Sequence, residues 1–250
     1  MLPTLHIEGH TATMTLRRPK SANKLTAEDL PQIRCHVQAV NDDPNVLVLV
    51  IRSEGKHFCA GFDISEIASA SQVEGSSFGE MVDAIEACRA VTIASVQGGV
   101  YGGATDLVLA CDFRLGSEAT EMFMPAARLG LHYYQSGMER YVSRLGIDMA
   151  KRLFLTAEKL DAQAMRACGF LTHLVDPIAL DDEVQRLSAT LGAMAPIPLL
   201  GMKKHLNQIA RGTADADAIR ADVRRSVASE DLAEGGRAWQ EKRQAAFKGR

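Results

Sequence analysis

The sequence predicts an α/β protein, and three observations carry that expectation. Short β-like runs alternate with amphipathic helical runs through the first half of the chain. One of them, "NVLVLVIRSE" (residues 45–54), is apolar nearly throughout its first seven positions, as in a strand buried on both faces of a parallel sheet. Two of the β-like runs end in glycine-bearing turns from which a helix is expected to start.

Taken in order, "TATMTLRR" (11–18) alternates with period two and reads as a strand. "TAEDLPQIRCHVQAVNDD" (26–43) opens with Thr26 as a cap and an acidic first turn. It then places Leu30, Ile33, Val37 and Val40 at helical spacing. After the buried strand come a helix in "SFGEMVDAIEACRAV" (77–91), a strand in "TIASVQG" (92–98), and a short helix running into a strand in "GATDLVLACDFRLGS" (103–117). This repetition implies right-handed crossovers. From about Asp148 the chain becomes helix-rich, with "GFLTHLVD" its last plausible strand, and everything beyond Pro196 and Pro198 reads as helix. The expected division is an α/β core at residues 1–190 and a helical segment at 191–250.

Among the 250 residues 46% are apolar and 24% charged, and the formal net charge is −3. These are the values of an ordinary globular protein, and the scattered basic residues suggest no nucleic-acid partner. No stretch approaches the length of a membrane span and the start lacks a secretory pattern. The five cysteines contain no C-x-x-C pair, so no metal site is expected, and their odd number suggests reduced thiols and a cytoplasmic location.

The two glycine turns are "HFCAGFDI" (57–64) and "SVQGGVYGGATDL" (95–107). Neither is followed by the Gly-Lys-Ser/Thr of a phosphate loop, and neither has dinucleotide-binding spacing. Taken singly, such glycines make tight turns. Taken together, two turns on neighbouring parallel strands can aim two unpartnered N–H groups at one oxygen, which is the geometry of an oxyanion hole.

These residues resemble the motifs of the enoyl-CoA hydratase/isomerase (crotonase) superfamily. "HFCAGFDI" is similar to its A-G-x-D-[IL], and "IASVQGGVYGGATDLVLACD" to its A-x-x-G-x-x-x-G-G-G-x-E-L. "LRRPKSANKLT", "FLTAEKLDAQAMRACGFLTHLVD" and "SEDLAEGGRAWQEKRQAAF" resemble three further family segments in the same order along nearly the whole chain. The resemblance implies a crotonase-like spiral core of ββα units with a C-terminal trimerisation region, a homotrimer or dimer of trimers. It implies an acyl-CoA substrate and no covalently bound cofactor, coenzyme A entering as part of the thioester. The oxyanion donors fall on the N–H groups of Phe62 and Gly103. Coenzyme A is implied near Arg18, Lys20, Ala22 and Lys24 and near Ala60, Gly61, Asp63 and Ile64, with Phe247 and Lys242 or Lys248 completing the nucleotide site in this subunit or a neighbour. For the three basic side chains of the first loop, plain solvated charge is the alternative.

The chain also departs from the family. Its first acid/base glutamate corresponds to Asp106, one methylene shorter, and its second to Ala126 or a neighbour. No carboxylate occurs between Glu121 and Glu139, so the two-glutamate arrangement for hydration is not intact. In its place stands "LGLHYYQSG" (129–137). This loop partly resembles that of methylmalonyl-CoA decarboxylase, a family member with tyrosine at the Tyr133 position, although that enzyme's first-loop histidine is Phe62 here. Tyr133 is therefore the leading functional side chain, with His132, Tyr134 and Asp106 as further candidates. The competing explanations are packing for the tyrosines and a first-turn helix charge for Asp106. His57 is expected to face solvent, and Cys59 and Cys111 to pack in the core. The rival functional class is a catalytically silent acyl-CoA-binding protein.

Overall fold

The computed structural model describes residues 1–63, Ser65 and residues 77–250. The strands are β1 (Thr4–Glu8), β2 (Thr11–Leu16), β3 (Val48–Ser53), β4 (Val91–Val96), β5 (Val100–Tyr101), β6 (Phe113–Ser117), β7 (Glu121–Phe123), β8 (Leu160–Asp161) and β9 (His173–Val175). The helices are α1 (Asp29–Asp42), α2 (Ser77–Glu86), α3 (Gly103–Ala110), α4 (Gln135–Leu145), α5 (Ile147–Thr156), α6 (Ala162–Ala167), α7 (Leu180–Gly192), α8 (Pro196–Ala210), α9 (Ala216–Val227) and α10 (Glu230–Glu241).

β1-β2-β3-β4-β6-β9 form one sheet, parallel except for the β1/β2 hairpin, and β5-β7-β8 form a second, smaller one. The apolar run at 45–54 is a strand covered on both faces, as its composition requires. Val48 and Val50 belong to a cluster with Val91, Ile93 and Leu115, closed by Leu180, Val184 and Leu191 of α7. Leu49 and Ile51, pointing the other way with the pleat, join Leu30, Ile33 and Val37 of α1 and Met81 and Ile85 of α2. Each such side chain contributes about 1.5–3 kcal/mol on burial, so the two clusters fix which face each strand residue occupies. The same rigid base carries the turns after β3 and β4.

Three expectations need correction. Thr26 does not cap α1 with its hydroxyl: Asp29 accepts from the Thr26 N–H at 2.7 Å and from its Oγ1 at 3.0 Å, so the acceptor is the aspartate. Helix does not run to the C-terminus. Beyond α10 the tail is irregular, held where the N–H groups of Lys248 and Gly249 donate to Asp231 at 2.7 and 2.8 Å. His57 is half-buried against the Tyr101 ring, centroids 5.8 Å apart, rather than turned to solvent. Cys59 and Cys111 are fully buried. Among the described residues no helix is long and apolar enough to cross a membrane, and no His/Cys/Asp/Glu group fits a metal ion.

Candidate active site

The stretch after β3 is fastened on both sides. The Ala60 N–H donates to Ala22 O at 2.8 Å, Leu25 N–H to Gly61 O at 2.8 Å, and Asp63 N–H to Leu25 O at 2.9 Å. On the opposite side Tyr101 N–H donates to Cys59 O at 3.0 Å. In the parallel bridge of Leu25 with Phe62 the bonds run through the residues flanking Phe62, so the Phe62 N–H is directed away from Leu25. Gly103 opens α3, where N–H groups lack helical partners. Neither amide has an acceptor among the described residues.

Gly61 is what lets the two turns meet. Its φ is +86°, and a methyl group there would lie 2.7 Å from Tyr101 O and 2.9 Å from Gly103 N. Beneath the turn the Cys59 thiol donates to Asn23 O at 3.1 Å and accepts from the Gly61 N–H at 3.4 Å. Burial pushes this thiol up to about 12, so it remains protonated.

Asp106 lies in the first turn of α3 with no exposed surface. Arg140 of α4, equally buried, forks onto it with the Nε/Nη2 edge of its guanidinium: Nε lies 2.8 Å from Oδ1 and Nη2 3.1 Å from Oδ2. The Tyr134 hydroxyl donates to the same Oδ2. Arg140 also bonds Glu86 at 2.8 Å and Asp83 at 3.0 Å. Arg144 and Arg211 complete the network around Glu86. Burial raises the Glu86 carboxyl, but Arg140, Arg211 and Arg144 outweigh it and hold the group below the ordinary glutamate value.

Tyr133 and Tyr134 stack with centroids 4.5 Å apart and planes 25° apart. Tyr133 donates to the Tyr134 oxygen at 3.5 Å and packs on Tyr141 and Phe154. Burial, then the charge of Asp106, pushes both phenols well above their usual range, so both are neutral donors. The two tyrosines are thus packing and polar machinery at once. The sequence put Tyr133 first; the structure gives Tyr134 the direct bond to Asp106 and the contact with Phe78 of α2, whose ring also faces Phe62. His132 stands apart, its exposed ring bonded to the Tyr133 carbonyl at 2.8 Å. Ala126, where a second glutamate would fall, is buried.

The loop expected to meet coenzyme A is highly ordered by its own contacts. Buried Asn23 accepts from Arg18 N–H at 2.8 Å and donates to the carbonyls of Glu54 and His57 at 2.8 and 2.9 Å. Arg18 is committed to Asp29, and Lys24 pairs with Asp63 at 2.5 Å. That lysine holds the Asp63 carboxyl down to about 2. Lys20 is exposed. Ile64 lies outside the described residues. Phe247 and Lys248 line a large cavity with His10, Lys203 and Arg225, and none of residues 18–24 borders it; Lys242 caps α10.

Sequence reasoning missed Arg140, Asn23 and Phe78. Arg140 carried a legible signal: Tyr133, Gly137, Arg140 and Tyr141 follow helical spacing, so an arginine sits within a buried stripe. Asn23 lay inside a motif segment without a role of its own, and Phe78 reads as one more core-facing aromatic.

The structure thus brings two strand-end turns together edge to edge on a parallel-sheet core, beside a buried acid held by tyrosine and arginine. Residues 6–250 match the model of the enoyl-CoA hydratase/isomerase family, and the chain belongs to that family. It is similar to the crotonyl-CoA hydratase of Syntrophomonas wolfei, with 32% identity over 250 residues covering 97% of this chain and 96% of that protein. With the short-chain-enoyl-CoA hydratase of Clostridium acetobutylicum it shares 28% identity over 209 residues, 82% of this chain and 80% of the relative. The crystal structure of enoyl-CoA hydratase from Bacillus anthracis superposes with a TM-score of 0.92 over 99% of both chains at 23% identity, which establishes the crotonase fold. The chain is accordingly an acyl-CoA enzyme of the lyase or isomerase type.

Proposed function

We propose that this enzyme protonates a thioester enolate, formed by loss of a β-carboxylate, whose oxygen is held by the N–H groups of Phe62 and Gly103, with a neutral phenol, that of Tyr134, as the proton donor in place of the usual glutamate pair. The observation that carries the reading is the state of Asp106. Both of its oxygens are occupied, by the Nε/Nη2 edge of Arg140 and by Tyr134, so it fixes the phenol rather than meeting water. With alanine at 126, two carboxylates do not flank one water molecule, and hydration by the usual dyad is disfavoured. Double-bond migration would need a base for the departing proton, which neutral phenols and an occupied Asp106 do not offer, whereas decarboxylation needs less. Loss of a β-carboxylate generates the enolate without any base, and the α-carbon then takes one proton. Tyr134 supplies that proton by turning its O–H from Asp106 to the carbon, and solvent restores the proton afterwards.

Coenzyme A in this reading runs along the loop of Arg18, Lys20, Ala22 and Lys24, against Ala60, Gly61 and Asp63. Lys20 and Lys24 supply charge to its phosphates, and Arg18, through Asp29, keeps the loop in shape. Tyr133 supports Tyr134, and His132 takes no part. The helical region at 191–250 serves assembly into a trimer or dimer of trimers on the 1–190 core. Met202, Leu206 and Ile209 on α8, Val223 and Val227 on α9, and Leu232 and Trp239 on α10 are exposed apolar side chains that association would cover. Five unpaired cysteines suit a reducing compartment such as the cytoplasm.

The test is turnover of three thioesters: crotonyl-CoA for hydration, 3-butenoyl-CoA for double-bond migration, and methylmalonyl-CoA for loss of CO2. Decarboxylation should exceed both migration and hydration, and Tyr134→Phe should lower that kcat by roughly 10²–10⁴-fold with coenzyme A binding retained. Fast hydration of crotonyl-CoA that survives Tyr134→Phe would refute the reading.

A further inference from the structure

We propose that Phe78 sets the length of the acyl group and restricts the site to short-chain thioesters. The inference rests on the oxyanion reading above, because it places the thioester carbonyl between Phe62 and Gly103. Phe78 lies beside that position, against Gly103. A methyl group on Gly103 would come within 2.7 Å of the Phe78 Cζ and 2.9 Å of its Cε1, so the ring already touches the residue whose amide holds the carbonyl oxygen. The Phe62 ring lies 5.8 Å away on one side, and the Tyr134 ring, edge-on, 6.2 Å away on another.

Among the described residues this aromatic wall is backed by packed neighbours. Gly79, the next residue, sits against Tyr134, where a methyl group would lie 3.1 Å from Cδ2 and 3.2 Å from Cε2 of the ring. Tyr134 is in turn fixed by Asp106 and by its stack on Tyr133. α2 is wedged between α1 and α3. In this reading a small acyl group lies beside the ring. A long one has to displace it, and a packed interior resists such a shift.

Affinities of wild type, Phe78→Ala and Phe78→Leu for free coenzyme A, butyryl-CoA and octanoyl-CoA, measured by titration calorimetry, test this. Wild type should bind butyryl-CoA at least about tenfold more tightly than octanoyl-CoA. Phe78→Ala should abolish or invert that preference, and Phe78→Leu should lie between, all three proteins binding free coenzyme A equally. Equal wild-type affinity for the two thioesters, or an unchanged ratio in Phe78→Ala, overturns the role of Phe78 and leaves the oxyanion reading standing. If both thioesters bind no better than free coenzyme A in wild type and in Phe78→Ala, the oxyanion reading itself falls, and the length limit with it.

Discussion

Replacing Arg140 by methionine keeps most of the side-chain volume and removes the charge from the centre of the site. The guanidinium has no exposed surface and makes two bonds to Asp106, whose own carboxylate is equally buried. Glu86 would keep Arg144 and Arg211, and Asp83 is half-exposed, so the loss concentrates on Asp106. That group would be left with Tyr134 as its donor inside the core. Breaking a buried pair in this way costs about 3–5 kcal/mol, because the partner's charge stays behind without compensation. In a chain of this size each kcal/mol corresponds to about 2–4 °C, so Tm should fall by roughly 6–20 °C. Urea and thermal unfolding at one fixed protein concentration would measure it. The double variant Asp106→Asn with Arg140→Met should recover much of the loss, since the amide still accepts from Tyr134 and no charge is stranded. A single variant costing less than about 1 kcal/mol, or a double variant equal to the sum of the two singles, would refute the reasoning.

Two further outcomes follow from the same packing. All four tyrosines sit above their ordinary value: Tyr101 is raised to about 12 by burial and by Glu121, and Tyr133, Tyr134 and Tyr141 are raised chiefly by burial. Because the folded values exceed the unfolded value of about 10, their neutral form contributes stability that is complete below that pH and is lost as pH rises through the folded values. Tyrosinate absorbance should therefore appear together with unfolding, and a tyrosinate step near pH 10 in folded protein would contradict it. Trp239, the single tryptophan, is 86% exposed in the isolated chain. Its emission should be blue-shifted at working concentration and move red on dilution in step with a falling mass by light scattering; a red-emitting, monomeric protein at all concentrations would remove the proposed assembly role of residues 191–250.

The central strands were legible because their burial leaves a continuous apolar signature in the sequence, and α1 because a one-sided helix repeats its apolar positions. β1 was invisible for the opposite reason: four of its five residues are exposed, so no alternation marks it. β5, β7 and β8 are two or three residues long, shorter than any period that could reveal them. At the site, the contact between the two glycine turns could be anticipated from their place at the ends of neighbouring strands. The partnership of Asp106 with Arg140 could not, since 34 residues separate them and only the crossing of α3 with α4 brings them together.

The departures from the hydratase pattern fit one another. Gly137 is a glycine where a methyl group would lie 2.4 Å from Cε1 of Tyr133 and 3.0 Å from Oδ2 of Asp106. The tyrosine stack therefore needs Gly137, the shortened acid needs Arg140 at its back, and the phenol of Tyr134 needs the acid. A site decaying after loss of function has no reason to keep such agreement. It would be expected to strand a charge or a polar atom in the core, at a cost of about 1–3 kcal/mol for each unsatisfied group. The buried side-chain polar atoms without a partner among the described residues belong to Asp29, His57 and Arg89, and none lies in this cluster. In the proposed mechanism tyrosine, arginine and aspartate stand in for the glutamate pair, and their mutual fit favours a changed chemistry over a silent relative.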